Sequence, residues 1–320
     1  ARAALGSLAG KPYLLANDGA KHQQILRRES AGWSIVDQIA GDGGWPGGMV
    51  IDDAGCFHLR LHDQGSPSGI AKYGRWNASG GWSVQSLSPA LDGGPIALGP
   101  DGTPHFAYWG RPDEYKPTSV FWVAPPGGAE PVLAGSNVIV VRGIRLAVSA
   151  AGTPHILIEH GSEGSGTLTL ASRGADAKWS FRTLETAPPF ETCSMTPTAP
   201  GQTCTTRYIV YNALAAISAG KPGELRLLYA RQDEQAKLTS SCANGACTWN
   251  GSNVITGALI MAAVDGTQVE KSTLLDTFIP ERAATAVDAQ GRIHVLLTGA
   301  SVPPTALDSE IRYLRLAPTP

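Results

Sequence analysis

Charge is scarce in this chain. Asp, Glu, Lys and Arg make up 16% of the 320 residues and leave a formal net charge of -2. Nothing therefore draws the molecule as a whole to nucleic acid or to an anionic membrane surface. Long hydrophobic runs are missing as well: none approaches the roughly 20 residues of a membrane span. No leader with a basic start and an apolar centre is present, and Ala1 reads as a mature or trimmed start. Heptads and helical amphipathic periodicity are absent, which excludes bundles and coiled coils. Gly at 38 residues and Pro at 23 are plentiful instead. That composition suits many short strands joined by tight turns. The length fits two or three average domains or one large all-β domain.

Cysteine is limited to five residues, and its placement is informative. Cys193 and Cys204 bracket the Pro/Thr-rich TCSMTPTAPGQTC, and Cys242 and Cys247 flank ANGA. Two local pairs fit structural disulfides and an oxidising compartment, secreted or periplasmic. Neither pair has CxxC spacing and the histidines are scattered, so neither a metal nor a cofactor is expected. Cys56, in DDAGCFHL, reads as a small buried residue. In CANGAC, Asn244 and Gly245 suit the centre of a type I′ turn. Ala243 and Ala246 then close the turn, and the two cysteines face each other at a non-hydrogen-bonded pair with Cα atoms about 4.5 Å apart, within disulfide range. So small a loop gives a chain-entropy gain at the low end.

An internal repeat organises the rest. Six stretches share an apolar strand, a turn with Gly and a second apolar strand: RAALGSLAGKPYLLAN, GMVIDDAGCFHLRLHD, PIALGPDGTPHFAYWG, IRLAVSAAGTPHILIEH, ALAAISAGKPGELRLLYA and AATAVDAQGRIHVLLTG. They recur at roughly 46 to 70 residues. A third alternating segment follows each, and a fourth often opens on Trp, as at Trp33, Trp82 and Trp179. Four strand-length runs per repeat, bounded by Gly, Pro, Asn and Asp, predict an all-β fold: a six-bladed β-propeller, mostly of four-stranded antiparallel blades. The expected blades span approximately 1–42, 43–92, 93–140, 141–208, 209–281 and 282–320 of one domain. The chain stops after EIRYLRLA, the third strand of blade 6. Its fourth strand is expected either from residues preceding Ala1 or not at all. With strands lettered A to D outward from the axis, the short A–B turns lie on one face. The variable B–C loops and the crossings between blades lie on the other, the top, where binding and catalysis are expected. Residues 232–256 read as an insertion between strand B (ELRLLYAR) and strand C (GALIMAAVDG) of blade 5. The Cys193–Cys204 loop lies in the crossing beside it, so blades 4 and 5 carry two stapled walls.

Residues that recur in nearly every blade serve what blades share. His58, His105, His155 and His294 occupy one position at the start of strand B, which Tyr13 fills in blade 1. An imidazole there is expected to bond its own A–B turn, and the Trp residues of strand D to pack between blades. Residues that do not recur are the functional candidates. At the top of strand B stand His62 and Asp63, then Trp109, Arg111 and Asp113, then Glu159 and His160, then Arg231, Asp233 and Glu234. Arg2, Arg142 and Arg282 fall roughly eight to ten residues before the turn Gly, although one residue of register would send them to different faces. Converging at the channel mouth, they would suit a carboxylate or sulfate, since Arg offers bidentate donors and keeps its charge.

The repeat, apolar strand, Asp or Ala, Gly, His, apolar strand, resembles that of bacterial secreted propellers of the broad sialidase-like, BNR-type group. The resemblance spans all six stretches and implies a fold, not an activity. As precedents it implies an arginine triad with a Tyr/Glu nucleophile pair and an acid Asp in the sialidases of that group. Propeller polysaccharide lyases, similar in architecture, use His and Tyr for proton transfer and Arg on a uronate, and sugar-binding lectins share the architecture too. This chain lacks an intact S-x-D-x-G-x-x-W box, and no Glu partners Tyr208 or Tyr211 in sequence. A serine-nucleophile elbow, a P-loop and a dinucleotide fingerprint are absent.

Two functions stand open. A binding module would hold a glycan, another acidic ligand or a protein on the top face. Trp45, Trp109 and Trp249 would stack on sugar rings, with Arg2, Arg111, Arg142, Arg231 and Arg282 on acidic groups. A uronate lyase would use Arg142 and Arg282 to neutralise the carboxylate, His62 or His160 as base, and Tyr208 or Tyr211 as acid. A glycoside hydrolase would instead need two carboxylates at a set separation, from Asp63, Asp113, Glu159 and Asp233.

Overall fold

The computed structural model describes residues 3–8, 11–17, 22–39, 45–62, 71–77, 79–87, 94–110, 119–134, 140–161, 166–193, 196–218, 224–287, 290–301 and 309–317. The regular structure among them is all β, in six antiparallel sheets that are the blades of a six-bladed β-propeller. Blade 1 is β1 (Ala3–Leu8), β2 (Lys11–Asn17), β3 (Gln23–Glu29) and β4 (Gly32–Ile39). Blade 2 is β5 (Trp45–Ile51), β6 (Phe57–His62), β7 (Ala71–Asn77) and β8 (Gly81–Ser86). Blade 3 is β9 (Ile96–Leu98), β10 (Pro104–Gly110), β11 (Ser119–Val123) and β12 (Glu130–Leu133). Blade 4 is β13 (Val140–Val148), β14 (Pro154–Gly161), β15 (Thr167–Arg173) and β16 (Trp179–Thr186). Blade 5 is β17 (Thr203–Ser218), β18 (Glu224–Ala243), β19 (Ala246–Asp265) and β20 (Gln268–Leu275). Blade 6 is β21 (Phe278–Val287), β22 (Ile293–Ser301) and β23 (Ser309–Leu316), three-stranded among the described residues. The chain divides into two compact units, residues 1–156 with 171–180, and residues 157–170 with 181–320.

The A–B turns show why the repeat needs glycine. Gly55, Gly102 and Gly152 sit at φ of 78°, 78° and 80°, a left-handed conformation that costs any residue with a Cβ. Each donates its N–H to a carbonyl three residues back, of Asp52, Gly99 or Ser149. Apolar residues alternating along the strands then pack sheet on sheet. In the first unit, Tyr13, Leu15, Ile25, Phe57, Leu59 and Leu61 form one such core, and Tyr73, Phe106, Tyr108 and Val123 another. In the second unit, Leu214, Leu228, Leu259, Phe278, Val295 and Leu297 join blade 5 to blade 6.

The repeated histidines are structural, and His58 makes the expected bond as well as a second one that recurs in other blades. His58 bonds its own turn, through Nε2 and Asp52 Oδ2 at 3.1 Å. What recurs is a bond to strand C: Nδ1 of His58 to the Tyr73 hydroxyl at 2.8 Å, of His155 to Ser172 Oγ at 2.8 Å, and of His294 to the Tyr313 hydroxyl at 2.6 Å. For His58 the cross-strand bond is the shorter of the two. Trp179 packs between blades as expected: it meets Trp122 edge-on and donates from Nε1 to Glu130 Oε1 at 2.6 Å. Trp33 does not, being 43% exposed on an outer strand.

The seams between blades carry acids that the repeat did not reveal. Asp37, Glu130 and Glu185 stand on the outermost strands of blades 1, 3 and 4, and each accepts hydrogen bonds from the next blade. Trp76 Nε1 donates to Asp37. Arg173 grips Glu130 at 3.0 Å, and Lys271 reaches Glu185 at 2.8 Å.

Blade 5 departs most from expectation. Residues 232–256 are not an insertion between strands B and C but a continuation of both. The β18–β19 register runs unbroken from Glu224↔Asp265 to Ala243↔Ala246, and β17 pairs with β18 out to Thr203↔Thr239. A three-stranded extension results. Both expected disulfides are formed within it. Cys242–Cys247 joins directly opposite residues with Cα atoms 4.0 Å apart, next to a turn with Asn244 at φ 52° and Gly245 at φ 80°. Cys193–Cys204 ties the crossing from blade 4 to the start of β17. Ser240 adds a polar clasp, accepting from the Gln202 N–H and donating to the Ala199 carbonyl. Closing a loop as short as that of Cys242–Cys247 contributes about 2 kcal/mol on chain-entropy grounds. The Cys242→Ser/Cys247→Ser variant should therefore lose hydrogen-exchange protection by that amount in residues 238–252, with the unfolding midpoint of the blades unchanged.

Candidate functional site

The alternation of β17 and β18 places Arg207, Ile209 and Tyr211 on the same face as Gln235, Asp233 and Arg231, directly opposite them in that order. Two guanidiniums meet one carboxylate there. Arg207 binds Asp233 through two hydrogen bonds of 3.1 and 2.6 Å, and Arg231 adds a third of 3.1 Å to the same Oδ2. The Asp233 side chain is 14% exposed, while those of Arg207 and Arg231 are 40% and 41% exposed. The carboxylate thus anchors both cations from beneath and leaves their far edges to solvent. Arg231 Nε is buried with no hydrogen-bond acceptor among the described residues. Bonding to Arg207, joined by both guanidinium charges, holds the Asp233 carboxyl below its ordinary range.

Tyr211, buried beside this trio, meets Tyr229 edge-on with ring centroids 6.3 Å apart. Tyr229 in turn donates its hydroxyl proton to Glu185 at 2.5 Å. Burial first, and then the nearby Glu185 carboxylate, raises the pKa of Tyr211, so its phenol is protonated at neutral pH. At the end of β14, Glu159 is buried and accepts a hydrogen bond from the Ala213 N–H at 3.3 Å, which fixes β14 against β17. His160, half-buried, shares a hydrogen bond of 2.9 Å between Nε2 and Thr169 Oγ1. Burial lowers its pKa, so the ring is neutral at pH 7. The face of β17 and β18 that carries Tyr211 therefore gathers two fixed guanidiniums and a protonated phenol, while His160 stands on the other face of β14 from Glu159, which meets β17. Such a set can bind hydroxyls and acidic groups, or move a proton between them.

No protein-family model and no curated protein matches the sequence. Solved structures match in shape. Polysaccharide lyase Uly1 is similar over 96% of this chain and 74% of that one, at 9% identity and a TM-score of 0.52. Hydrazine synthase of Kuenenia stuttgartiensis is similar over 99% of this chain and 84% of that one, at 10% identity and a TM-score of 0.50. Likenesses at such identities are likenesses of fold, and these two carry different chemistry on it. The resemblance to sialidase-like repeats is likewise one of architecture.

The remaining candidates stand on several blades. Tyr208 and Tyr211 fall on opposite faces of β17: Tyr208 lies opposite Glu234 and against Phe190, away from the arginine pair. Trp249 is half-buried and opposite Ser240, on the face that Tyr208 shares. Trp109 is half-buried near the end of β10. Trp45 and His62 are register partners at one end of blade 2. Arg142 is half-buried on β13 in the first unit, and Arg282 is exposed on β21 in the second, beyond a bulge. Arg2, Asp63, Arg111 and Asp113 lie outside the described residues. Among the described residues, no group of three His, Cys, Asp or Glu could hold a metal, and no helix is long and apolar enough to cross a membrane. Arg207 and Glu185 were missed in sequence. For Arg207 the alternation of TTRYIVYN was the available signal, since it assigns Arg207 and Tyr211 to one strand face.

Proposed function

We propose that the protein binds an anionic carbohydrate at the ends of blades 4 and 5, in an oxidising, secreted or periplasmic setting. The observation that carries this reading is the pair Arg207 and Arg231, fixed by the partly buried Asp233 beside buried Tyr211. Prepositioned guanidiniums with unfilled donors lose little freedom on meeting a carboxylate or sulfate. Trp45, Trp109 and Trp249 are proposed as sugar-stacking residues and Arg142 and Arg282 as contacts to acidic groups, each on its own blade and none of them part of the Arg207–Asp233–Arg231 cluster. Two disulfides support the compartment.

A second reading is favoured by the protonation states. A protonated Tyr211 is the form that a uronate lyase needs in its acid, with His62 or His160 as its base, and one protein of similar fold is a polysaccharide lyase. The two readings separate on one assay. The protein is incubated with a panel of polyuronates and sulfated polysaccharides while the ultraviolet absorbance of unsaturated uronate is followed. Rising absorbance that is lost in Tyr211→Phe establishes the lyase. Flat absorbance with retained binding establishes the module. In either case Arg231→Ala should weaken the complex about tenfold, one charge-assisted contact's worth.

A further inference from the structure

The extension of blade 5 ends in an edge that no strand covers among the described residues. β20 pairs with β19 only over Leu259–Asp265, and a single bridge joins Gly257 to Thr277. Among the described residues, no strand pairs with the outer side of 246–256. Open edges of this length normally carry a charge, a proline or a bulge that blocks pairing with another chain. The other outer strands of more than six residues follow that rule: β4 has Asp37, β16 has Arg182 and Glu185, β20 has Glu270 and Lys271, and β23 has Glu310 and Arg312. ACTWNGSNVIT, residues 246–256, has no charge and no proline, and its register with β18 is unbroken. Most of it is exposed, Val254 at 59%.

We propose that this edge pairs with the same edge of a second copy, antiparallel about a two-fold axis through Gly251. The hairpin fixes which groups point outward. A two-residue turn makes Ala243↔Ala246 a hydrogen-bonded pair, so Cys242↔Cys247 is not one, and the pattern alternates from there. Cys247, Trp249, Gly251, Asn253 and Ile255 therefore turn their backbone N–H and C=O groups away from β18, toward the outer side of β19. Those five positions are symmetric about Gly251. In the pairing, Cys247 meets Ile255 of the second copy, Trp249 meets Asn253 of the second copy, and Gly251 meets its own equivalent, for about ten backbone hydrogen bonds. Between them Thr248 faces Val254 of the second copy, and Asn250 faces Ser252 of the second copy. Every pair is uncharged, so the edge meets its own copy without like-charge repulsion, which a single Lys or Glu would introduce. The Cys242–Cys247 disulfide keeps the strand in place up to the turn.

Sedimentation velocity over a concentration series tests this on the full chain. The wild type should shift from monomer to dimer. Thr248→Lys/Val254→Lys sets like charges opposite each other and should weaken the dimer at least tenfold, while Thr248→Lys/Val254→Glu sets opposite charges there and should restore it. Both positions are exposed, and circular dichroism and thermal melting confirm that each variant is folded. A wild type that stays monomeric throughout overturns the proposal, as does a double-lysine variant that dimerises like the wild type.

Discussion

Acidification from neutral pH to about 4 is expected to remove about 3 kcal/mol of stability through His155 alone. The ring is 8% exposed; Nδ1 is bonded to Ser172, and Nε2 is buried with no partner among the described residues. A proton on both nitrogens would leave a charged donor unsolvated, and burial pushes the pKa down to about 4. In the unfolded chain the same ring titrates near 6.5. Between these values the unfolded state holds the extra proton, so stability falls as pH drops through that window and levels off below it. Urea unfolding at a series of pH values reads the slope. His155→Gln, whatever its own stability, should lose about 3 kcal/mol less than the wild type between pH 7 and 4. Parallel pH profiles for the two proteins would contradict the assignment. His105 is shifted downward by the same cause, burial, and adds to the acid sensitivity.

Phe278→Ala should cost about 3–5 kcal/mol, the range for emptying a fully buried aromatic site. Phe278 opens β21, has no exposure and packs with Leu214, Leu259 and Leu297 where blades 5 and 6 meet. The Arg312 guanidinium lies 4.5 Å from the ring centroid, so truncation also removes a cation–π contact. Leu296→Ala, on the same blade but with 47% of the residue exposed, should cost well under half as much. Denaturant midpoints of the two variants provide the comparison, and equal losses would show that the seam between blades 5 and 6 is not the core described.

The blades were legible in the sequence because they repeat. Gly55, Gly102 and Gly152 mark positive-φ turns, and the histidines that follow mark strand B, so local chemistry and global architecture coincide there. The stapled hairpin was legible for the same reason: Asn244 and Gly245 fix a turn type, and the turn fixes what faces what. The seam acids were not. Glu130 is joined to Trp179 and Glu185 to Lys271, partners 49 and 86 residues away, and no local period links them. The continuity of β18 and β19 also escaped, because residues 232–256 lack the apolar alternation of a strand buried on one face. Only pairing with β17 reveals them as sheet. Arg207 then joins Asp233 through that pairing, across 26 residues, a partnership that no local period signals.

The most direct measurement is a calorimetric titration of acidic and neutral polysaccharides into the wild type, Arg231→Ala and Arg207→Ala. The account predicts binding of a uronate or sulfated polymer that weakens as salt rises and falls about tenfold in each arginine variant. It predicts no binding of the neutral polymer. Absence of heat with every acidic polysaccharide, or affinities indifferent to both substitutions, would contradict it.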